Sequence, residues 1–390
     1  MRIAYFTDTY TPEVNGVANT LAKLSDYLGQ NQMEHAIFAP DYGTKVKAAQ
    51  EACGAFRQLY RFPGVRVSLS PNSCLALPST KAVFDLCDEF APELVHVTTE
   101  FGIGYKGIKY AMARRLPLIT SYHTDYCSYL DYFNLQSLLP MVERYLKWFH
   151  GFAQKTLVPS NHTLKALEQQ NFQNLGIWSR GIDADKFNIA FRSHEVRKAL
   201  GIGDKFAFLY VGRLSPEKGL HMLLHAIGQI NARFPGQAAF VFTGDGPYAE
   251  TIRQADFENT VLTGFRSGQE LAEIYASCDC FAFPSGSETF GNAPLEAMAS
   301  GLPVVGVNSG GVTDFLHHGK NALLCADGDE GAFTEHLIRL MQNPVLRGAL
   351  AADALKTALS RNWDEIFEDL LNEYYTAITK YRIGTGRRAS

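Results

Sequence analysis

The sequence predicts an α/β protein of two domains, each a parallel sheet wound with helices on both faces. Three observations carry this. Short apolar runs alternate with helix-length amphipathic segments along the whole chain, the order that parallel strands and crossover helices require. Several runs end in glycine or proline turns that lead into a helix, as Phe240-Val-Phe-Thr-Gly-Asp-Gly-Pro247 does. A length of 390 residues is also more than one hydrophobic core normally serves.

In chain order, Arg2–Thr7 is a short apolar strand that runs into the polar loop Asp8-Thr-Tyr-Thr-Pro-Glu-Val-Asn-Gly-Val17, and a helix follows over about Ala18–Gly29. His35–Pro40, Leu94–Thr98 and Leu118–Tyr122 read as strands, with helical patterns at Lys81–Phe90 and Gly107–Arg115 between them. Leu157-Val-Pro-Ser-Asn161 reads as the last strand of the first domain, 1–180, and the charge-rich segment 181–203 as the hinge. The second domain, 204–358, opens on Phe206–Val211 and continues through Phe240–Thr243, Val261–Phe265, Cys280–Pro284 and Val304–Asn308. The closing segment, 359–390, holds a helix over about Trp363–Tyr381 and a frayed tail from Gly384 to Ser390.

Composition excludes several classes. A net charge of −4 argues against a nucleic-acid partner. Seven scattered cysteines without a CxxC pair point to reduced thiols and a cytoplasmic chain, and Cys278 and Cys280, alternating on one strand, read as core residues. The first residues already form a strand, so no targeting segment is read there, and no apolar run approaches the ~20 residues that span a bilayer.

The chemistry concentrates in Ser285-Gly-Ser-Glu-Thr-Phe-Gly-Asn-Ala-Pro-Leu-Glu-Ala-Met-Ala-Ser-Gly301, a strand exit, a glycine-broken loop and a helix start with Pro294 just inside it. Amides of Phe290, Gly291 and Asn292 at that helix start can face an anion. Glu288 and Glu296 flank it, and carboxylates accept hydrogen bonds from sugar or ribose hydroxyls. Upstream, Gly212-Arg-Leu-Ser-Pro-Glu-Lys-Gly219 places Arg213 and Lys218 at a helix start, where the dipole disfavours cations unless an anion binds between them. A phosphate cradle beside two hydroxyl acceptors suits a nucleotide-sugar. Ser309-Gly-Gly311 adds amides that could line the same pocket.

Other motifs compete. Gly102-Ile-Gly-Tyr-Lys-Gly107 satisfies G-x-G-x-x-G, the basis of a rival reading as an NAD(P)-dependent oxidoreductase, although it follows a late strand rather than the first. Asp183-Ala-Asp185 and Asp327-Gly-Asp329 spell DxD, yet short acidic turns hold hard cations weakly without further oxygen ligands, and no metal or other cofactor is expected. His123, in Tyr122-His-Thr-Asp125, stands at a strand end, where an isolated histidine is more often packed than functional. Arg57–Arg66, Tyr105–Arg115 and Tyr145–Phe152 interleave aromatics with cations; each suits either an ordinary solvated or packed face or a lipid interface.

The phrase Glu-x7-Glu with Phe-Gly inside it and Glu-Ala-Met-Ala-Ser-Gly-x-Pro after it resembles the donor site of the retaining glycosyltransferases of family 4, and Gly-Arg-Leu-x-x-x-Lys-Gly matches that family's diphosphate-binding pair. The opening phrase and Tyr-His-Thr-Asp are most similar to bacterial glycolipid hexosyltransferases of the mannosyl- and sulfoquinovosyl-diacylglycerol type. The resemblance implies a GT-B fold, two Rossmann-like domains facing a central cleft, with the last helix crossing back to the first domain. It implies metal-independent, retaining transfer of a hexosyl group from a UDP-hexose or GDP-mannose to a hydroxyl acceptor, either a lipid at the inner face of the membrane or a soluble small molecule. Arg213, Lys218 and the Phe290–Asn292 amides would hold the diphosphate, Glu288 the sugar and Glu296 the ribose. Gly16 would approach the donor phosphates, with Asn15 standing where relatives often have a first glycine. Gly264 and Phe265 would lie against the nucleobase, His123 at the reacting centre. Asp125 would either orient the imidazole or cap the next helix. A sugar-nucleotide sensor without turnover is a third reading.

Overall fold

The computed structural model describes residues 1–42, 51, 52, 54–67, 70–125 and 136–384. The chain divides into two compact units, one of Met1–Ser179 with the chain from Asp364 onward, the other of Arg180–Trp363.

In the first unit the strands are β1 (Ile3–Phe6), β2 (His35–Asp41), β3 (Glu51–Ala52), β4 (Arg57–Val67), β5 (Ser70–Ala76), β6 (Leu94–Val97), β7 (Leu118–Ser121), β8 (Lys155–Val158) and β9 (Leu175–Ile177). Their order in the sheet is β3-β4-β2-β1-β6-β7-β8-β9, with β5 paired to β4. The central strands are parallel, and β1 lies between β2 and β6 with Ile3 opposite both His35 and Leu94. All four residues of β1 are buried, as strands covered on both faces must be, which is why they read as continuous apolar runs. Helices α1 (Gly16–Gln30), α2 (Thr80–Phe90), α3 (Gly102–Arg114), α4 (Leu139–His150) and α5 (Asn161–Gln169) supply the crossovers.

The structure corrects one sequence reading and decides between the alternatives in two others. Leu157–Asn161 is not the last strand of this unit: Ser160 caps α5 by accepting from the Thr163 amide, and β9 follows, too short to leave a pattern. Of the stretch Arg57–Arg66, the part up to Phe62 is packed inside the sheet against β2, while Pro63, Gly64 and Val65 are exposed. Tyr60 and Phe62 are buried, and Arg61 spends its guanidinium on the carbonyls of Pro40 (3.0 Å) and Thr11 (2.7 Å). The third concerns the glycine fingerprint. It starts α3 at Gly102, and that helix N-terminus is filled by the chain's own Asp8, which accepts from the Ile103 amide at 3.0 Å and from Thr99 Oγ1 at 2.8 Å. A Cβ on Gly104 would fall 1.9 Å from the Thr99 carbonyl oxygen, so this glycine serves close helix-to-sheet packing. A dinucleotide phosphate has no seat there.

Burial pushes the Asp8 carboxyl up to about 7. A carboxyl raised on folding costs stability as pH rises towards that value. Asp8→Asn keeps an oxygen acceptor and removes the ionisation. It should therefore stabilise the protein more at pH 8 than at pH 5, by about 1 kcal/mol or more, in melts at the two pH values.

The second unit holds β10 (Phe206–Val211), β11 (Ala238–Thr243), β12 (Thr260–Gly264), β13 (Cys280–Phe283), β14 (Val304–Val307) and β15 (Ala322–Cys325), in the order β12-β11-β10-β13-β14-β15, all parallel. Its helices are α6 (His194–Ala199), α7 (Leu220–Arg233), α8 (Ala249–Gln254), α9 (Gly268–Ser277), α10 (Asn292–Ala299), α11 (Glu330–Gln342) and α12 (Pro344–Leu359). Alternate residues of β10 enter different cores, Leu209 one and Phe208 the other, so both faces of the sheet are covered. Segment 181–203 is tied into this unit. Arg197 of α6 is buried and donates to the Ser277 carbonyl at 2.7 Å and to Asp279 Oδ2 at 3.1 Å. Cys278 and Cys280 are buried thiols of its core.

The last helix, α13 (Trp363–Gly384), belongs from Asp364 onward to the first unit, where Phe367 packs 5.2 Å from the Tyr27 ring and Tyr374 is fully buried. Residues 385–390 of the tail lie outside the described residues. Among the described residues no helix is long and apolar enough to cross a membrane.

Candidate active site

Strand β13 ends at Phe283, and a loop from Pro284 carries the chain to α10. Phe290 anchors that loop: its ring is buried 5.3 Å from Phe315, so only its main chain can meet a ligand. Gly291 precedes the helix at φ 99°, and Asn292 begins it. The first amides of an α-helix have no acceptor within the helix, which leaves this end electropositive.

The turn at Ser309–Gly311 lies directly on the loop. Ser309 Oγ donates to the Gly286 carbonyl at 3.0 Å and the Gly311 amide to the Glu288 carbonyl at 2.6 Å. A Cβ on Gly311 would sit 2.1 Å from the Thr289 carbonyl oxygen, so only glycine allows the approach. Of the turn amides expected to line a phosphate pocket, that of Gly311 is spent on the loop instead.

Beside the loop runs the exit of β10. Residues Pro216–Lys218 form one 3₁₀ turn, and Lys218 Nζ donates to Glu288 Oε1 at 2.7 Å, with the two side chains 14% and 23% exposed. Ser285 Oγ donates to the same oxygen at 3.2 Å. Burial alone would raise the Glu288 carboxyl, but the Lys218 ammonium, helped by Ser285 and Arg213, holds it below the usual carboxylate range. Glu288 is thus an ionised acceptor at neutral pH. Arg213 is half-exposed, its Nε 3.8 Å from Glu217 Oε1. Glu296, within α10, accepts from the Tyr275 hydroxyl at 3.0 Å, and Tyr275 is wholly buried in α9.

Lys218, Glu288, Arg213 and the start of α10 with Glu296 therefore gather at the carboxyl ends of β10 and β13, where open α/β sheets bind ligands. Gly264 ends β12 at φ 72° and its carbonyl accepts from the Gly244 amide at 3.0 Å; the Phe265 ring next to it is exposed. Sequence reasoning missed Ser285 and Tyr275 as supports. Ser285 stands in the motif but is one serine among several, and Tyr275 reads as any buried helix aromatic. Of the two DxD turns, Asp329 caps α11 by accepting from the Ala332 amide at 2.9 Å. Among the described residues no three His, Cys, Asp or Glu side chains gather as a metal site would need.

The first unit carries the remaining predicted residues at the ends of its own strands. Gly16 is the first residue of α1, and the Asn15 side chain caps the helix, accepting from the amides of Val17 (3.0 Å) and Ala18 (2.9 Å). Those two amides are therefore not open to phosphate. His123 follows β7, half-buried, with its ring 5.5 Å from that of Trp178. Asp125 is also half-buried, and the segment 126–135 after it lies outside the described residues. Between α3 and α4, Phe101 stacks on Tyr145 at 5.7 Å, Tyr105 lies 6.0 Å from Trp148, and Lys109 sits over the Tyr105 ring at 4.7 Å. Phe101, Met112, Met141 and Trp148 are exposed there, while Arg114 is paired to Asp88 at 2.5 Å.

Comparison with known proteins agrees with this geometry. Residues 14–186 match the model described as Glycosyltransferase Family 4, and residues 205–343 the model described as Glycosyl transferases group 1. The chain is 29% identical over 381 residues to a GDP-mannose-dependent alpha-mannosyltransferase of Corynebacterium glutamicum, covering 97% of this chain and 89% of that one. It is 31% identical over 313 residues to the sulfoquinovosyl transferase SQD2 of Arabidopsis thaliana, covering 78% and 60%. Among solved structures, sucrose-phosphate synthase from Thermosynechococcus elongatus superposes with a TM-score of 0.79 at 17% identity, over 97% of this chain and 99% of that one. With two parallel-sheet domains, a matching fold and both family models in register with them, the chain belongs to the GT-B glycosyltransferases of family 4.

Proposed function

We propose that the protein transfers a hexosyl group from a UDP-hexose or GDP-mannose to the hydroxyl of a lipid acceptor, with retention of configuration and without a metal ion. The observation that carries this reading is the Lys218–Glu288 pair at 2.7 Å beside Arg213 and the start of α10. Departure of a nucleoside diphosphate leaves two or more negative charges, and preorganised positive charge at the leaving group is usually the largest catalytic contribution. Arg213, Lys218 and the α10 amides supply it. Glu288, kept ionised by Lys218, accepts from the sugar hydroxyls, and Glu296, steadied by Tyr275, accepts from the ribose.

The bond from the anomeric carbon to the phosphate oxygen breaks, and its electron pair leaves with the diphosphate. The acceptor oxygen bonds to that carbon on the same face, and its proton passes to the departing phosphate. His123 serves the reacting centre, as the family resemblance implies. The lipid acceptor is supported by the exposed aromatic and cationic face of α3 and α4, in which Lys109 and Trp148 suit an anionic membrane surface. The working location would then be the inner membrane face.

The test is nucleoside diphosphate release from purified protein with GDP-mannose and UDP-hexoses, with and without EDTA and diacylglycerol vesicles containing anionic lipid. Release from one donor, raised by vesicles and indifferent to EDTA, is expected. Replacing Trp148 by Ser should reduce the vesicle stimulation several-fold and leave vesicle-free release unchanged. Release indifferent to vesicles would move the acceptor to a soluble molecule, and loss with EDTA would overturn metal independence.

A further inference from the structure

The first unit holds His123 from behind through side chains gathered from both ends of the chain. Trp178, buried just after β9, has its ring 5.5 Å from that of His123 and 5.4 Å from that of His96. His96, fully buried in β6, bonds through Nδ1 to the Tyr374 hydroxyl at 2.6 Å and through Nε2 to Ser121 Oγ at 2.7 Å. Ser121 ends β7, two residues before His123. Tyr374 comes from α13, and its hydroxyl accepts from Tyr5 of β1 at 3.2 Å. Burial pushes the His96 imidazole down to about 3, so the ring is neutral at physiological pH, with one nitrogen donating and one accepting. Both nitrogens are engaged. The two supports of His123, the Trp178 ring and the strand end that carries it, therefore meet at one imidazole whose rotation is fixed by a phenol of the last helix.

We propose that Tyr374 is a positioning residue for His123, acting through His96 on Trp178 and Ser121. The proposal rests on the reading of His123 as a group at the reacting centre. Packing alone would need only the Tyr374 ring; the hydroxyl, hydrogen-bonded at 2.6 Å to a ring that two other groups lean on, is what sets an orientation. The C-terminal helix would thus contribute to catalysis from within the first unit, without touching substrate.

The experiment measures kcat, KM and melting temperature for Tyr374→Phe, His123→Ala and the double variant, with GDP-mannose or the UDP-hexose that the release assay identifies. Phe367→Leu, which loosens the same helix at its contact with Tyr27, is the control. Tyr374→Phe should lower kcat about tenfold with the donor KM unchanged, as a small misplacement of a reacting group does. Phe367→Leu should lower the melting temperature and leave kcat alone. In the His123→Ala background Tyr374→Phe should have no further effect. Wild-type kcat in Tyr374→Phe, additive losses in the double variant, or an equal kcat loss in Phe367→Leu would overturn the positioning role while His123 kept its own. Full activity of His123→Ala would overturn the underlying reading, and the positioning role with it.

Discussion

Lys218→Ala lowers turnover about 10³-fold, Glu288→Gln falls by a similar factor, and the double variant is little worse than either. The expectation follows from the 2.7 Å contact between them. Each residue has a task of its own, Lys218 at the diphosphate and Glu288 at the sugar hydroxyls, and each also sets the state of the other. Without the ammonium, burial is left to raise the Glu288 carboxyl, since Lys218 provides the largest opposing influence. The acid limb of the pH–kcat profile, below the usual carboxylate range in the wild type, should therefore move upward in Lys218→Ala. Stability follows the same sign. A carboxyl lowered on folding contributes stability above its unfolded pKa, and that contribution is lost as pH falls through the lowered value. Glu288→Gln should retain nucleoside diphosphate binding within about threefold, because the phosphate-facing groups remain. Loss of turnover with binding intact would also dispose of the sensor reading.

Gly311→Ala should lower kcat at least 10²-fold with a modest fall in stability. The added Cβ would lie 2.1 Å from the Thr289 carbonyl oxygen, 2.4 Å from its carbon and 2.7 Å from the Phe290 Cα. All three are backbone atoms, so no side-chain rotation relieves the clash; the loop itself must move, and the 2.6 Å bond from the Gly311 amide to the Glu288 carbonyl must lengthen. A displacement near 1 Å of a reacting constellation costs about 10² in rate. Gly319→Ala offers the contrast: a Cβ there meets nothing within 4 Å and Gly319 stands in a turn at φ 74°, so it should cost stability without a matching loss of kcat. Steady-state kinetics beside thermal melts of the two variants separates the effects.

Most of the fold was legible because both sheets are covered on both faces. Runs such as Phe206–Val211 and Val304–Val307 are therefore uniformly apolar and short, and they stand out between amphipathic helices. What was not legible depended on distant partners. Arg57–Arg66 suits a packed face or a lipid interface on sequence alone, and only the carbonyls of Pro40 and Thr11, which take up Arg61, decide for packing there; β9 has only three residues to declare itself. The glycine run at Gly102–Gly107 was ambiguous for a similar reason. Its chemistry depends on what fills the helix N-terminus, and Asp8, 95 positions earlier, fills it. Candidate donor-side residues could be named from the sequence because loop, helix start and flanking glutamates are contiguous. Their supports read poorly, since Tyr275 and the Ser309–Gly311 turn reach the loop only through the fold.

The most direct test of the central claim is the anomeric configuration of the product. Purified protein would be incubated with the α-linked donor that gives nucleoside diphosphate release and with diacylglycerol vesicles, and the glycoside would be examined by proton and carbon NMR. The account predicts an α-glycoside formed in step with diphosphate release, in EDTA as without it. A β-glycoside would contradict same-face substitution, and diphosphate release with only free sugar formed would contradict transfer to the lipid hydroxyl.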